Sequence, residues 1–164
     1  MSGHVGILAV AACALAGILV AIVVIDFRRM IIPDALNLAL AVAGLGFQFI
    51  AYPEGVPLQI ASAAITLCVL WVVRYGHFRM TGRVGLGLGD VKMFGACALW
   101  IHPLLMPVLL LVASATALLF IGWQAVAIGS AATRARVPFG PFIALGLGFS
   151  WAVEQLVGLN LEML

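Results

Sequence analysis

Apolar runs separated by short polar breaks make up most of the chain, and their lengths read as membrane-crossing helices. Crossing roughly 30 Å of hydrocarbon takes about 20 apolar residues at about 1.5 Å each. The first run extends from Val5 to Ile25 and the second from Ala35 to Ala51. The third runs from Val56 to about Tyr75, after the turn signal Tyr52-Pro53-Glu54-Gly55. A polar stretch from Arg74 to Gly89 follows, and apolar sequence then resumes from Val91 to Thr133, too long for one helix. Ile101-His102-Pro103, with Met106-Pro107 just behind it, marks the natural break. The pattern predicts a short fourth helix from near Asp90 to Ile101, a fifth from about Leu104 to Ile128, and a sixth from Pro138 to about Val157. The expected fold is an all-α membrane protein of six transmembrane helices, forming a single domain over residues 1–164.

Composition sharpens this reading. Of the 164 residues 65% are hydrophobic and only 9% charged, with a mean hydropathy of +1.25. A water-soluble domain carries about 25% charged residues, so this chain has too few polar side chains to cover a water-facing surface, and the bilayer must act as its solvent. The first run lacks a basic segment before it and exceeds the length of a signal-peptide core, so it is expected to be a retained helix. Cys13, Cys68 and Cys97 lie singly in apolar runs, implying neither a zinc module nor a disulfide framework. With no basic stripe interleaved with aromatics, no nucleic-acid partner is expected.

The positions of the charges set the orientation. Arg28, Arg29, Arg74, Arg79, Arg83, Arg134 and Arg136 fall in the breaks after helices one, three and five, with Lys92 just inside helix four. The opposite breaks and both termini hold no Lys or Arg. Basic residues favour the cytoplasmic side, so both termini are expected to face the periplasm of a multi-pass inner-membrane protein. Many of these arginines also suit contact with lipid headgroups.

Among the acids, Glu54, Glu154 and Glu162 sit at the outward ends, where solvation explains them. Asp26, Asp34 and Asp90 sit at the cytoplasmic ends of apolar segments, and an ionisable group there points to function. Asp26 ends helix one, where pairing with Arg28 or Arg29 is the structural alternative. Asp34, after Pro33, suits the start of helix two as a cap complementing its dipole. Asp90 closes Gly85-Leu86-Gly87-Leu88-Gly89-Asp90, whose alternate glycines permit positive φ and close backbone approach. No P-loop spacing accompanies them. Two carboxylates brought close together cannot both ionise easily, so one retains a proton. The ionised partner can then activate water while the protonated one donates to a carbonyl.

With these residues in place, the chain resembles the type IV prepilin peptidases, among the GxGD membrane aspartyl proteases. Asp26 and Pro33 fit the family's first aspartate and its downstream proline, and Gly87-Leu88-Gly89-Asp90-Val91-Lys92 fits GxGDxK. Val137-Pro138-Phe139-Gly140-Pro141 resembles the C-terminal proline-phenylalanine-glycine-proline segment. The resemblance implies catalysis by Asp26 and Asp90 on the cytoplasmic side, with Gly87, Gly89, Lys92, Pro33 and Asp34 as supporting motif residues. Lys92 is expected to steady a carboxylate or to contact lipid phosphate. Pro138, Phe139, Gly140 and Pro141 are expected to shape helix six or position substrate, and the loop Arg74–Gly85 to act as a lid, a leader-docking surface or a headgroup-bound basic loop. The implied partner is a prepilin with its leader and hydrophobic helix, alongside membrane lipids, with no metal or other cofactor. The absence of a cysteine tetrad resembles the small peptidases of Flp-type, tight-adherence systems, with no cytoplasmic methyltransferase domain and N-methylation not expected. An ion- or proton-coupled transporter using the aspartates as a relay is the competing class, and a noncatalytic scaffold a third.

Overall fold

The computed structural model describes residues 2–128 and 137–157, with side chains over 5–127 and 137–157. Arg134, Arg136, Glu162 and the C-terminal tail, which entered the orientation argument, lie outside the described residues. The described chain is all helical: α1 (Ser2–Arg29), α2 (Asp34–Ala51), α3 (Val56–Thr81), α4 (Leu88–Cys97), α5 (Met106–Ile128) and α6 (Gly140–Val157). Five of these six, all but α4, are long and apolar enough to cross a membrane. At 10 residues, α4 is only about 15 Å long.

Several boundaries differ from the pattern-based expectation, each for a local reason. Helix α1 continues one turn past Ile25 to Arg29, so Asp26 lies inside its last turn. It stops at Met30, whose φ of 53° is left-handed and whose N–H returns to the Asp26 carbonyl at 2.8 Å. Helix α3 runs past Tyr75 to Thr81 and ends at Gly82, where φ is 67°. Much of the polar stretch is therefore helix, because arginines on a helix extending beyond the membrane are readily solvated. Helix α4 starts at Leu88 and stops at Cys97, leaving Ile101 in a turn. Helix α6 starts at Gly140, two residues after Pro138, with 137–139 outside any helix.

Burial runs opposite to length. The short α4 packs against α2, α3 and α6 and buries Val91, Met93, Phe94, Ala96 and Cys97. The long helices expose Val10, Leu118, Leu119 and Val126, as lipid-facing surfaces do, since hydrocarbon solvates them at no cost. Of the cysteines, Cys13 and Cys68 are exposed and Cys97 is buried, in keeping with lipid-side and packing positions.

The end of α4 lies inside the bundle, where free carbonyls and N–H groups lack water. Side chains supply the partners. The Gln59 amide, in the orientation that satisfies both of its ends, donates to Ala98 O and Ile101 O at 2.9 and 3.1 Å, and Trp100, in the turn that follows α4, donates its Nε1 to the Leu40 carbonyl of α2 at 2.8 Å. Glu154 corrects an expectation: it is not solvated but buried, and its carboxylate accepts the His102 N–H at 2.9 Å. The acid near the end of α6 is drawn in because the α4–α5 turn places an unpaired donor within its reach.

This contact is open to test. Glu154→Gln retains an acceptor for the His102 N–H and should leave thermal stability in detergent near wild type. Glu154→Leu strands that buried donor and should cost about 1–3 kcal/mol, read as a lowered melting temperature. Equal melting of the two variants would show that the bond is idle.

Candidate active site

Three non-helical segments meet at one end of the bundle. They are residues 30–33 between α1 and α2, residues 82–87 before α4, and residues 137–139 before α6. Together they enclose a cavity of about 540 Å³ lined by Asp26, Met30, Ile31, Ile32, Val84, Gly85, Gly87, Leu88, Gly89, Asp90, Val137, Pro138 and Phe139. Asp26 and Asp90, distant in sequence, thus face the same space.

Asp26 lies in the last turn of α1 and is almost fully buried, at 4% exposure. Its Oδ2 accepts the Gly140 N–H at 2.8 Å. Gly140 opens α6, where the N–H groups have no intrahelical partner and the dipole attracts negative charge. A Cβ there would sit 2.7 Å from Asp26 Oδ2, so any larger residue would push the carboxylate off this position. Among the described residues no ion pair joins Asp26 to Arg28 or Arg29, so the pairing alternative is not what the structure adopts. Within the Pro138–Pro141 segment, the Gly140 backbone hydrogen-bonds an aspartate, while Pro138 and Phe139 line the cavity beside it. Sequence reasoning marked this segment but assigned Gly140 no bond; its small size between two prolines was the available signal.

Asp90 occupies the third position of α4, and its carboxylate turns back to the N–H of Gly87, which precedes the helix. This is the acidic half of a capping box, satisfying a donor the helix cannot reach. Gly87 is needed for proximity, since a Cβ would lie 2.7 Å from Asp90 Oδ2. It is not in the left-handed region; its φ and ψ are −65° and 145°, so the expected positive φ falls instead on Gly82. Asp90 is pushed up to about 6, chiefly by burial and then by the charge of Asp26, with the Gly87 N–H acting against both. A carboxyl near 6 exists in both protonation states close to neutral pH, as an acid–base group requires.

The surroundings hold the loop in place. Arg74 donates to the Leu86 carbonyl, and the His77 ring nitrogen meets the Arg83 carbonyl at 3.0 Å. Thr81 Oγ1 accepts the Arg83 N–H at 3.2 Å. The segment expected to be a lid is thus folded back onto α3. Lys92 bonds neither aspartate of the pair; its Nζ meets Asp34 Oδ1 at 2.7 Å. Asp34 sits in the first turn of α2, as a dipole-complementing acid should, but the N-cap is Pro33 and carries no side-chain cap. Asp34 therefore acts between helices, not as the cap expected from sequence. Asn37, one turn on, donates to the Gly89 carbonyl at 3.2 Å. Sequence reasoning missed Asn37, and the only signal for it was an amide in an otherwise apolar run. Among the described residues, no group of three or more His, Cys, Asp or Glu side chains comes together to hold a metal ion.

Because the Asp26 charge raises the Asp90 pKa, removing it should lower that pKa. Asp26→Asn is expected to shift the Asp90 carboxyl titration below about 6, read by infrared or carbon-13 NMR titration of labelled aspartate. An unmoved titration would show that the two groups do not sense each other.

Comparison with known proteins places this geometry. Residues 13–122 match the type IV leader peptidase family. A prepilin leader peptidase/N-methyltransferase of Aeromonas hydrophila is 30% identical over 135 residues, covering 82% of this chain and 46% of the relative. The protein of that name from Dickeya chrysanthemi is 32% identical over 145 residues, covering 87% and 50%. The one from Escherichia coli strain K12 is 34% identical over 127 residues, covering 75% and 54%. The chain spans about half the length of the curated relatives it matches. No solved structure matches. With its all-helical fold, its several apolar helices and a family match over more than half its length, the chain belongs to the type IV leader peptidase family.

Proposed function

We propose that this protein is an aspartyl endopeptidase of the inner membrane that removes the cytoplasmic leader from type IV prepilins, with Asp26 and Asp90 as its catalytic pair. The observation carrying the proposal is that both carboxylates line one cavity of about 540 Å³ and each is steadied by a backbone N–H, from Gly140 and Gly87. The names of the relatives supply the substrate class. Arg28 and Arg29 at the end of α1, Arg74 and Arg79 toward the end of α3, and Arg83 just beyond it support a cytoplasmic position for this end, which is where a prepilin leader would lie.

In this reading Asp26 is the ionised partner and Asp90 the protonated one. A water between them gives a proton to Asp26 as its oxygen attacks the scissile carbonyl, and Asp90 donates its proton to the carbonyl oxygen. The tetrahedral diol then collapses: Asp26 passes the proton it took from water to the leaving nitrogen, Asp90 recovers a proton from a diol hydroxyl, and the peptide bond breaks to a carboxylic acid and a free amine. The segments 84–89 and 137–139 line the same cavity as both carboxylates, so a peptide bound there would meet both groups. An ion relay, the competing class, draws no support from the relatives. The narrower assignment, to Flp-type pilins and to cleavage without methyl transfer, rests on the likeness to small peptidase-only members.

Asp26→Asn and Asp90→Asn should each abolish processing of a co-expressed Flp-type prepilin, read as loss of the faster-migrating product with insertion unchanged. Full processing by either variant would sink the pair. Because Asp90 must carry a proton, wild-type kcat/KM should decline as pH rises through about 6, whereas a rate rising there would reverse the assigned roles. Mass spectrometry of the cleaved pilin should find a free, unmethylated N-terminal amine; a methylated one would refute the peptidase-only reading.

A further inference from the structure

The depth of Asp90 in the membrane is a separate structural problem. A spanning helix is held at its level by two polar ends in two interfaces. Helix α4 has only one such end, because it is 10 residues long and finishes inside the bundle. Sliding along its axis by a fraction of a turn would move Asp90 relative to Asp26 without exposing apolar surface to water. The bonds of Trp100, Gln59 and Glu154 tie down residues 98–102 beyond its inner end, and the first turn, which carries Asp90, needs contacts of its own.

We propose that Asn37, together with the Asp34–Lys92 pair, is a positioning device that locks the level of α4 and so the placement of Asp90. The two helices run in the same direction from the cavity, since Ile32 just before α2 and Gly87–Asp90 at the start of α4 both line it, and Leu40 meets Trp100 further along. The two contacts cross. Asp34, at the beginning of α2, meets Lys92, whereas Asn37, one turn later, meets Gly89. Each residue pair is separated by three positions, a step of about 4.5 Å along either axis.

The crossing gives the lock its two directions. If α4 slides away from the cavity, Lys92 is drawn from Asp34. If it slides toward the cavity, the Gly89 carbonyl leaves Asn37. Displacement either way breaks one contact, so together they hold a level that neither holds alone. The contacts also bracket Asp90 in sequence, at 89 and 92. Asn37 is 5% exposed, so its bond is shielded from water and a lost donor would go unreplaced. The ion pair is open, with side chains 46% and 74% exposed, so its effect on stability is small. Its contribution is geometric.

The inference rests on the catalytic reading of Asp90, and its test therefore includes a measurement that needs no catalysis. In a chain with Cys13, Cys68 and Cys97 replaced, spin labels at the exposed Leu38 on α2 and Leu88 on α4 report the offset of the helices by pulsed electron resonance. Asn37→Leu, of similar size but without the donor, should broaden or shift that distance. In proteoliposomes it should lower kcat for prepilin cleavage about tenfold to a hundredfold, since misplacement by about 1 Å has that scale, with KM little changed. Asp34→Lys and Lys92→Asp should each lower kcat, and the two combined should restore it to within about threefold, because the exchanged pair spans the same gap. An unchanged distance in Asn37→Leu overturns the proposal, whether or not kcat falls, and so does a charge-swapped protein no better than its single variants. If wild type cleaves no prepilin, the proposed function fails while the label distances still decide whether Asn37 sets the level of α4.

Discussion

Backbone groups in hydrocarbon must find partners within the protein, and that requirement organises this molecule. Helices satisfy it internally, so irregular backbone is confined to places where water or side chains can complete the bonding. The segments 30–33, 82–87 and 137–139 are such places, and all three converge on one cavity. The opposite end meets the same requirement differently. There the α4–α5 turn is completed by Gln59 of α3 and Glu154 of α6, while Trp100, in the turn itself, ties it to α2 through the Leu40 carbonyl. One end of the bundle is therefore closed by side-chain bonds, and the other is left open around two acids.

The two carboxylates are held by related but unequal means. Asp26 reaches across the bundle to the first N–H of α6, so its placement depends on α1 and α6 lying side by side. Asp90 bonds within its own turn and depends on where α4 sits. In both cases a glycine removes the Cβ that would otherwise occupy the position of the carboxylate oxygen. The glycines at 87 and 140 thus serve the same purpose on two helices, allowing a backbone donor to come close to an acid. Met30 adds a left-handed, non-glycine residue to the wall of the same cavity, a conformation L side chains adopt at a cost.

Much of the architecture was legible from apolar run lengths, because a lipid-facing helix needs a particular length and little else. The brevity of helix four was readable from Ile101-His102-Pro103, and the family from three short motifs. Boundaries were less legible. The end of α3 moved out to Thr81 because arginines do not stop a helix, whereas a left-handed glycine at 82 does. Glu154 was misplaced because an acid near a helix end is as compatible with water as with a buried donor, and only the fold shows which is within reach.

The sequence alone determined that the bilayer is the solvent, that the acids Asp26 and Asp90 stand at the edges of apolar segments, and that GxGD precedes a short helix. These follow from local composition and from the fixed rise of a helix. Only the tertiary structure decided what each acid bonds to: Gly140 for Asp26, Gly87 for Asp90, and Lys92 for Asp34. Those partners lie on other helices or across a turn, separated by as many as 114 positions. Periodicity and hydropathy describe each helix against its solvent. They do not say which face of one helix meets which face of another, and that pairing is what places two carboxylates in one cavity.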